Sequence, residues 1–266
     1  MVSDLRPHLS GRTVTEVELR LPAIVRYPEA WLFREGVAGR RIEAATRRGK
    51  YILLHLDQPG SLLVVHLGMT GQLRYVDPET PFPDHTHAVF ALDDGFQLRY
   101  RDVRRFGRLL LGTEAELVAA GKLPRLGPEP LADDFAAADL ARRLKGRRAP
   151  LKALLLDQSV VAGVGNIYAD ESCFRAGIRP DREAGSLSRR AVAKLHASLR
   201  ETLLMGIANR GSSVDSYRDA WGNKGTQQER LQVYGRGGEP CLTCGRPLRL
   251  VRLAGRATVF CTRCQR

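Results

Sequence analysis

The chain has 266 residues, of which 43% are hydrophobic, and its 42 Lys and Arg against 29 Asp and Glu give a net charge of +13. This length suits one large domain or two ordinary ones. No apolar run reaches the roughly 18 residues that a membrane span needs, which excludes a membrane-spanning helix. So basic a chain usually meets a polyanion such as nucleic acid, although a cationic surface without a partner is the alternative. We expect no signal peptide and a cytoplasmic protein, so its five Cys should be reduced or metal-bound.

The first half of the chain predicts mostly β-strands. Residues 1–9 predict a helix from the spacing of Val2, Leu5 and Leu9, although nothing precedes it to cap its first amide groups. Residues 12–110 then contain short β-rich runs separated by Gly, Pro and Asp: TVTEVELR, KYILLHL, SLLVVHLG, HAVFALDD and FQLRYRDV. The DDG sequence at 93–95 indicates a hairpin turn. Many strands with few helices predict a sandwich or barrel-like pair of sheets.

The second half predicts helices. Thr113 caps a helix that stops at Gly121, and the Pro-rich stretch 126–135 reads as a linker. Four helices follow, within 134–146, 149–158, 166–177 and 186–211, and the residues after them lack clear periodicity. The fold class is therefore α+β. The predicted domains are a β-sandwich at 1–122, a helical domain at 123–231 with a loop at 211–227, and a small module at 232–266.

The four Cys residues of the tail carry the strongest single signal. Cys241-x₂-Cys244, sixteen intervening residues and Cys261-x₂-Cys264 fit the spacing of a four-thiolate zinc site. The residues between the pairs alternate like a hairpin, which predicts a zinc ribbon with one structural Zn²⁺; disulfides or inert thiols are the alternative. Cys173 lies apart on a helix and is interpreted as a buried structural residue.

Four shorter motifs are weaker by themselves. AGVGNIYADE (162–171) is a Gly-rich turn that feeds a helix, which suits phosphate binding at the helix N-terminus or a plain tight turn. In HLGMTGQLR, Met69 is either core filler or part of a functional turn. In YRDVRRFGRL, the basic pair beside Phe106 suits a wedge that enters a base stack. In RRGKYILL, Lys50 starts a strand and reads by default as an exposed edge residue.

Together these motifs resemble the formamidopyrimidine-DNA glycosylases, bifunctional base-excision repair enzymes also called 8-oxoguanine DNA glycosylases. The resemblance extends from about Arg6 to Gln265 and includes RRGKYILL, HLGMTGQLR, RDVRRFGRL, LGPEPL, LKALLLDQ, GVGNIYADE, LQVYGRGGEPC and GRATVFCTRCQ in order. The sister family, endonuclease VIII, fits less well at HLGMTGQLR and RRFG. The resemblance implies a β-sandwich domain joined to a helix–two-turn–helix domain with a zinc ribbon.

The resemblance also implies roles for individual residues. Lys50 is expected to donate a proton in β-elimination and Arg256 in δ-elimination, while Ser213 and Tyr217 belong to a loop (Gly211–Gly222) that closes over the extruded lesion. The expected wedge, which fills the gap left by the flipped base, consists of Met69, Arg104 and Phe106. The expected DNA-backbone contacts are His85, Arg104, Arg148, Lys152, Asn166 and Arg256. The implied partner is double-stranded DNA with oxidised purines or abasic sites, bound by a monomer at the nucleoid.

The motif that opens the family's sequences does not occur in this chain. The family begins, after Met removal, with Pro-Glu-Leu-Pro-Glu; the Pro amine attacks the sugar C1′ and the following Glu is the acid/base. MVSDLRPHLSGR matches the helix after this motif, so a start codon assigned too late is the expected explanation. Two hypotheses follow: a glycosylase with AP lyase activity that acts by β,δ-elimination, or a catalytically inert relative that binds damaged DNA.

Overall fold

The first compact unit comprises Met1–Pro124 and Arg210–Thr226. The computed structural model describes residues 1–214 and 217–266. In chain order, the helices and strands of this unit are α1 (Val2–Leu9), β1 (Val14–Leu19), β2 (Val25–Tyr27), α2 (Ala30–Val37), β3 (Ile42–Arg48), β4 (Tyr51–Leu56), β5 (Ser61–His66), β6 (Gly71–Val76), β7 (Thr86–Leu92), β8 (Gln97–Asp102), β9 (Arg108–Thr113) and α3 (Glu114–Ala119).

The strands of this unit form two sheets. One has the order β1-β7-β8-β6 and the other the order β2-β9-β5-β4-β3. All pairs are antiparallel except β2 with β9. Alternate residues point inward from both sheets, and one hydrophobic core joins them with α1 and α2, from Leu5 through Phe33 and Leu63 to Phe90 and Leu109. The predicted β-sandwich is confirmed.

Local signals fix two elements of this unit as predicted. Thr113 caps α3 through a hydrogen bond from the Glu116 amide, and the Glu116 carboxylate accepts the Thr113 amide in return, which is a capping box. The β7–β8 hairpin turns at Asp93–Gly95, where Gly95 has φ +84°, a left-handed conformation that glycine adopts without strain. The sequence therefore specifies where these two elements stop and start.

The second compact unit comprises Arg125–Asn209 and Gln227–Arg266. Its elements are α4 (Ala137–Leu144), α5 (Leu151–Leu156), α6 (Asn166–Ala176), α7 (Arg189–Ala208), β10 (Arg249–Leu253) and β11 (Arg256–Phe260). Ser188 caps α7 by accepting the Ala191 amide. The helices share a core that includes Leu140, Leu155 and Leu199, while the β10–β11 hairpin has a small core of its own. Among the described residues, no helix combines the length and apolar composition needed to cross a membrane.

Candidate nucleic-acid interface

Two adjoining loops of the first unit carry the expected wedge. The turn between β5 and β6 presents Met69, half exposed at 50%, and the loop between β8 and β9 presents Phe106, 57% exposed. The guanidinium of Arg104 lies over the Phe106 ring, with its central carbon 4.7 Å from the ring centroid. Large apolar side chains that stand exposed beside a cation suit insertion between stacked bases near phosphates. The two loops therefore bring the three residues of the expected wedge to one end of the sandwich.

The backbone of these loops is packed too tightly for larger residues. A Cβ on Gly68 would lie 2.7 Å from the Gly107 nitrogen, and a Cβ on Gly107 would lie 2.6 Å from the His66 carbonyl oxygen. Both positions therefore need glycine, and they hold the Met69 turn against the Phe106 loop.

Lys50 and His85 are exposed residues on other turns of the same unit. Lys50 lies between β3 and β4, after Gly49, which has φ +56°. His85 precedes β7 and has φ +66°, unusual for a non-glycine residue. Its carbonyl oxygen accepts the Asp102 amide at 3.0 Å, which links this turn to the end of β8.

His66 ends β5, just before the Met69 turn, and is held neutral. Burial lowers its pKa to about 4, with help from the positive charges of Arg108 and Lys50 and against the opposing effect of Asp102. Its Nδ1 accepts the Gly68 amide at 3.2 Å, which is possible only while Nδ1 carries no proton. The neutral imidazole therefore supports the turn that carries Met69.

We expect acid to weaken this unit partly through His66. Because the pKa in the folded state is below the ordinary value of about 6.5, the unfolded chain binds the proton first; the contribution to stability is complete above pH 6.5 and is lost as the pH falls through about 4. The free energy of unfolding, measured by urea titration at pH 7 and pH 4.5, should fall more in the wild type than in His66→Gln. Equal losses in the two proteins would contradict this role.

The segment 210–226 belongs to the first unit, and the second half of the segment packs against the sandwich. Ala220 is fully buried in the sandwich core, and its carbonyl oxygen accepts the Tyr75 amide at 3.2 Å. Nearer its start, the Ser213 hydroxyl donates to the Tyr217 carbonyl at 2.8 Å and accepts the Gly225 amide at 2.9 Å. Both expected lesion-loop residues are thus close together; residues 215 and 216 of the expected loop lie outside the described part of the chain.

In the second unit, a buried ion pair lies behind the proposed DNA contacts. The Lys152 ammonium is 2.7 Å from the Asp170 carboxylate, and both side chains are fully buried. It also donates to the carbonyl of Ala257 and the hydroxyl of Thr258, each at 2.8 Å. All three protons therefore have acceptors inside the protein, which leaves none for the phosphate expected from the sequence. Burial lowers the pKa of Lys152 and raises that of Asp170 to about 6.

The candidates for phosphate contact in this unit are the exposed Arg148 and Arg256 and the partly buried Asn166. Asn166 starts α6 and donates to the Ala257 carbonyl at 3.3 Å, so it shares an acceptor with Lys152. Arg256 starts β11 after a two-residue turn in which Ala254 and Gly255 both have positive φ, the conformation of a tight hairpin. Arg148 lies exposed just before α5. The ion pair therefore fixes the strand on which Arg256 stands.

The four tail cysteines converge on one point. Their sulfur atoms all lie within 4.8 Å of one another, with Sγ–Sγ distances of 3.9 Å for Cys241–Cys264 and 3.4 Å for Cys244–Cys261. Thiolates about 2.3 Å from a tetrahedral zinc ion stand about 3.8 Å apart, so the donor set fits zinc. With four protein ligands the site is closed, and its zinc is structural. Cys173 is fully buried in the helical core, away from this cluster.

Comparisons with known proteins agree with this arrangement. Three family models match: the formamidopyrimidine-DNA glycosylase N-terminal domain at residues 1–109, the H2TH domain of the same enzymes at 126–218, and a zinc finger found in FPG and IleRS at 238–266. The formamidopyrimidine-DNA glycosylase of Heliobacterium modesticaldum is 50% identical over 98% of this chain and 95% of the relative. This chain belongs to the formamidopyrimidine-DNA glycosylase family.

Solved structures of formamidopyrimidine-DNA glycosylases have the same fold. The MutM (Fpg) protein of Thermus thermophilus is 43% identical, with a TM-score of 0.87 over 99% of this chain and 95% of that chain. Lactococcus lactis Fpg bound to DNA with an abasic site is 33% identical, with a TM-score of 0.90 over 99% and 96%. A mutant of the Lactococcus protein, bound to DNA containing Fapy-dG, is 32% identical with the same TM-score and coverage.

Sequence reasoning missed two buried carboxylates, one in each unit, that support the candidate residues. Asp170 pairs with Lys152, and Asp102 accepts the Gly107 amide at 2.8 Å beside the wedge. Asp170 lies in AGVGNIYADE and Asp102 in YRDVRRFGRL, two motifs that were interpreted through their other residues. An acidic residue within an otherwise apolar or basic motif is the signal that could have identified them.

Proposed function

We propose that the protein is a base-excision repair DNA glycosylase with AP lyase activity, which removes oxidised purines such as 8-oxoguanine and formamidopyrimidines and cuts the strand by β,δ-elimination. The observation that carries the proposal is the exposed wedge on two interlocked loops, in a chain 42–50% identical to relatives named formamidopyrimidine-DNA glycosylase. That identity favours the enzyme over a catalytically inert relative. The partner is double-stranded DNA with oxidised purines or abasic sites.

The roles of individual residues follow from their chemistry and exposure. The wedge replaces the extruded base, while His85, Arg148, Asn166 and Arg256 contact the backbone, whose phosphates attract cations and amide donors. Lys50 is the proton donor for β-elimination and Arg256 for δ-elimination. Ser213 and Tyr217 stand in the segment that covers the lesion. Lys152 contributes through its position behind Asn166 and Arg256 rather than by touching DNA.

Base release needs a nucleophile and a carboxylate in addition to these groups. The family resemblance assigns both to Pro-Glu-Leu-Pro-Glu, which does not occur among the 266 residues. The amino group of Met1 is 2.7 Å from the Asp4 carboxylate, and Met1 packs against the sandwich core. What the described residues supply is recognition, deformation of the duplex and the proton donors for strand cleavage. As a DNA-bound enzyme it is expected in the cytoplasm, at the nucleoid, as a monomer.

Binding should depend strongly on salt, because each neutralised phosphate contributes a slope of about −0.9 to log affinity against log salt. Arg256→Ala should reduce the size of that slope by about 0.9, and it should lower the affinity for damaged and for intact duplex by the same factor. The measurement is fluorescence anisotropy across a salt series, with a tetrahydrofuran abasic duplex and its intact counterpart. Arg34→Ala, which removes an exposed charge of α2, is the matched control and should leave the slope unchanged. A flat salt response of the wild type would overturn the proposed DNA binding.

A further inference from the structure

The end of β8 carries a buried carboxylate that the proposed chemistry does not use. Asp102 is fully buried, and a buried charge is costly unless hydrogen bonds compensate it. The β6–β8 ladder already holds its backbone, since Gly71 and Asp102 pair at the last position of that ladder. The carboxylate itself is therefore not required to form the sheet.

Each carboxylate oxygen of Asp102 serves a different wedge loop. Oδ1 accepts the Thr70 hydroxyl, next to Met69, in a short hydrogen bond. Oδ2 accepts the Gly107 amide at 2.8 Å, next to Phe106, and the Tyr100 hydroxyl at 3.3 Å. One side chain thus spans the two loops that carry the wedge.

Thr70 closes the connection from the other side. While its hydroxyl donates to Asp102, the same oxygen accepts the Arg104 amide at 3.0 Å. Thr70 is 7% exposed, so water competes little for these bonds. The backbone of Arg104 is therefore fixed relative to the turn of Met69 by two consecutive hydrogen bonds.

We propose that Asp102 and Thr70 form a clamp that holds the Met69 turn and the Arg104–Phe106 loop at one separation, so that the three wedge side chains enter the duplex as a unit. Both are positioning residues for lesion discrimination, and the inference rests on the proposed function. The exposed wedge residues extend into water, where a rigid base reduces the conformational entropy lost on insertion. Without the clamp, each loop would have to be ordered separately by the DNA.

Thr70→Val tests the clamp because valine keeps the shape of threonine and removes the hydroxyl. Thr70→Ser keeps the hydroxyl and is the matched control. The readout is the preference of the protein for a tetrahydrofuran abasic duplex over the intact duplex, together with thermal unfolding. Thr70→Val should reduce the preference roughly tenfold, the size of one charge-assisted hydrogen bond, with little change in binding to intact DNA. Thr70→Ser should retain it.

Met69→Ala separates failure of the clamp from failure of the proposed function. If the wild type has no preference for the abasic duplex, or Met69→Ala does not reduce it, the proposed function itself is wrong. If Met69→Ala reduces the preference and Thr70→Val leaves it unchanged, the clamp is overturned. The clamp is also overturned if Thr70→Val lowers the affinity for both duplexes by the same factor, because an equal loss indicates general damage to the structure.

Discussion

Cys241→Ser should remove the structural zinc and with it most DNA binding, while the β-sandwich stays folded. The hairpin of β10 and β11 has a small core, Val233, Leu248 and Val259 beside the cysteines, which is too little to fold alone without its metal. Arg256 stands at the turn of this hairpin. Loss of one or two charged hydrogen bonds, about 1.5–3 kcal/mol each, corresponds to roughly a tenfold to 10,000-fold loss of affinity.

Three quantities are measured for each protein: its zinc content, its affinity for an abasic duplex, and the unfolding transition of its β-sandwich. The wild type should hold one equivalent of zinc. Cys173→Ser is the matched control, because Cys173 lies in the helical core rather than in the zinc cluster; it should keep its zinc. A Cys241→Ser protein that binds DNA at wild-type strength would show that the ribbon does not contribute to the interface.

Excision of 8-oxoguanine should depend on an N-terminal Pro-Glu-Leu-Pro-Glu leader, which can be tested by joining this leader to the chain ahead of α1. The reaction needs an amine within bonding reach of C1′ and a carboxylate to handle the proton, and a positioned acid/base alone contributes roughly 10²–10⁴-fold. The 266-residue polypeptide should bind the lesion duplex without excising at a useful rate. Single-turnover assays with the two polypeptides give the ratio of the rates.

The comparison of the two polypeptides needs a duplex with an intact 8-oxoguanine rather than a preformed abasic site. Lys50 lies exposed just before β4, and a lysine amine can form a Schiff base with a sugar that is already abasic. On a preformed abasic site this reaction could be mistaken for the family's chemistry. Replacement of the leader's first Glu by Gln is the matched control, because it keeps the amine and removes the acid/base carboxylate. It should slow excision by roughly 10²–10⁴-fold while leaving binding intact.

Local signals in the sequence predicted the elements whose boundaries are set by particular residue types close together in the chain. The capping box of Thr113 and Glu116, the turn at Gly95 and the paired cysteines each act over a few residues, so the pattern could be read directly. β3 was missed as a strand because IEAATRR suits a helix equally well. It becomes a strand through pairing with β4, with Ile42 opposite Leu56, and this long-range contact overrides local preference.

The site was predicted less completely because its supporting contacts join distant residues. Lys152 meets Thr258 and Asp102 meets Thr70, contacts that are 106 and 32 residues apart in the chain. A motif can indicate that Lys152 is near DNA, but only the fold shows that Asp170 and β11 take its protons. The exposed members of the wedge, in contrast, stand where their motifs placed them, on turns between strands.

Borohydride trapping on a duplex with a single 8-oxoguanine tests the central claim most directly. If the protein is a glycosylase and lyase that uses one amine for both steps, the leader-bearing polypeptide should become covalently linked to the DNA when borohydride is present. When borohydride is absent, the same polypeptide should cut the strand and leave phosphate at both ends of a one-nucleotide gap. The 266-residue polypeptide should form no covalent complex. Equal trapping and cleavage of the 8-oxoguanine duplex by both polypeptides would contradict the assignment of the nucleophile, and no trapping or cleavage by either would contradict the proposed activity.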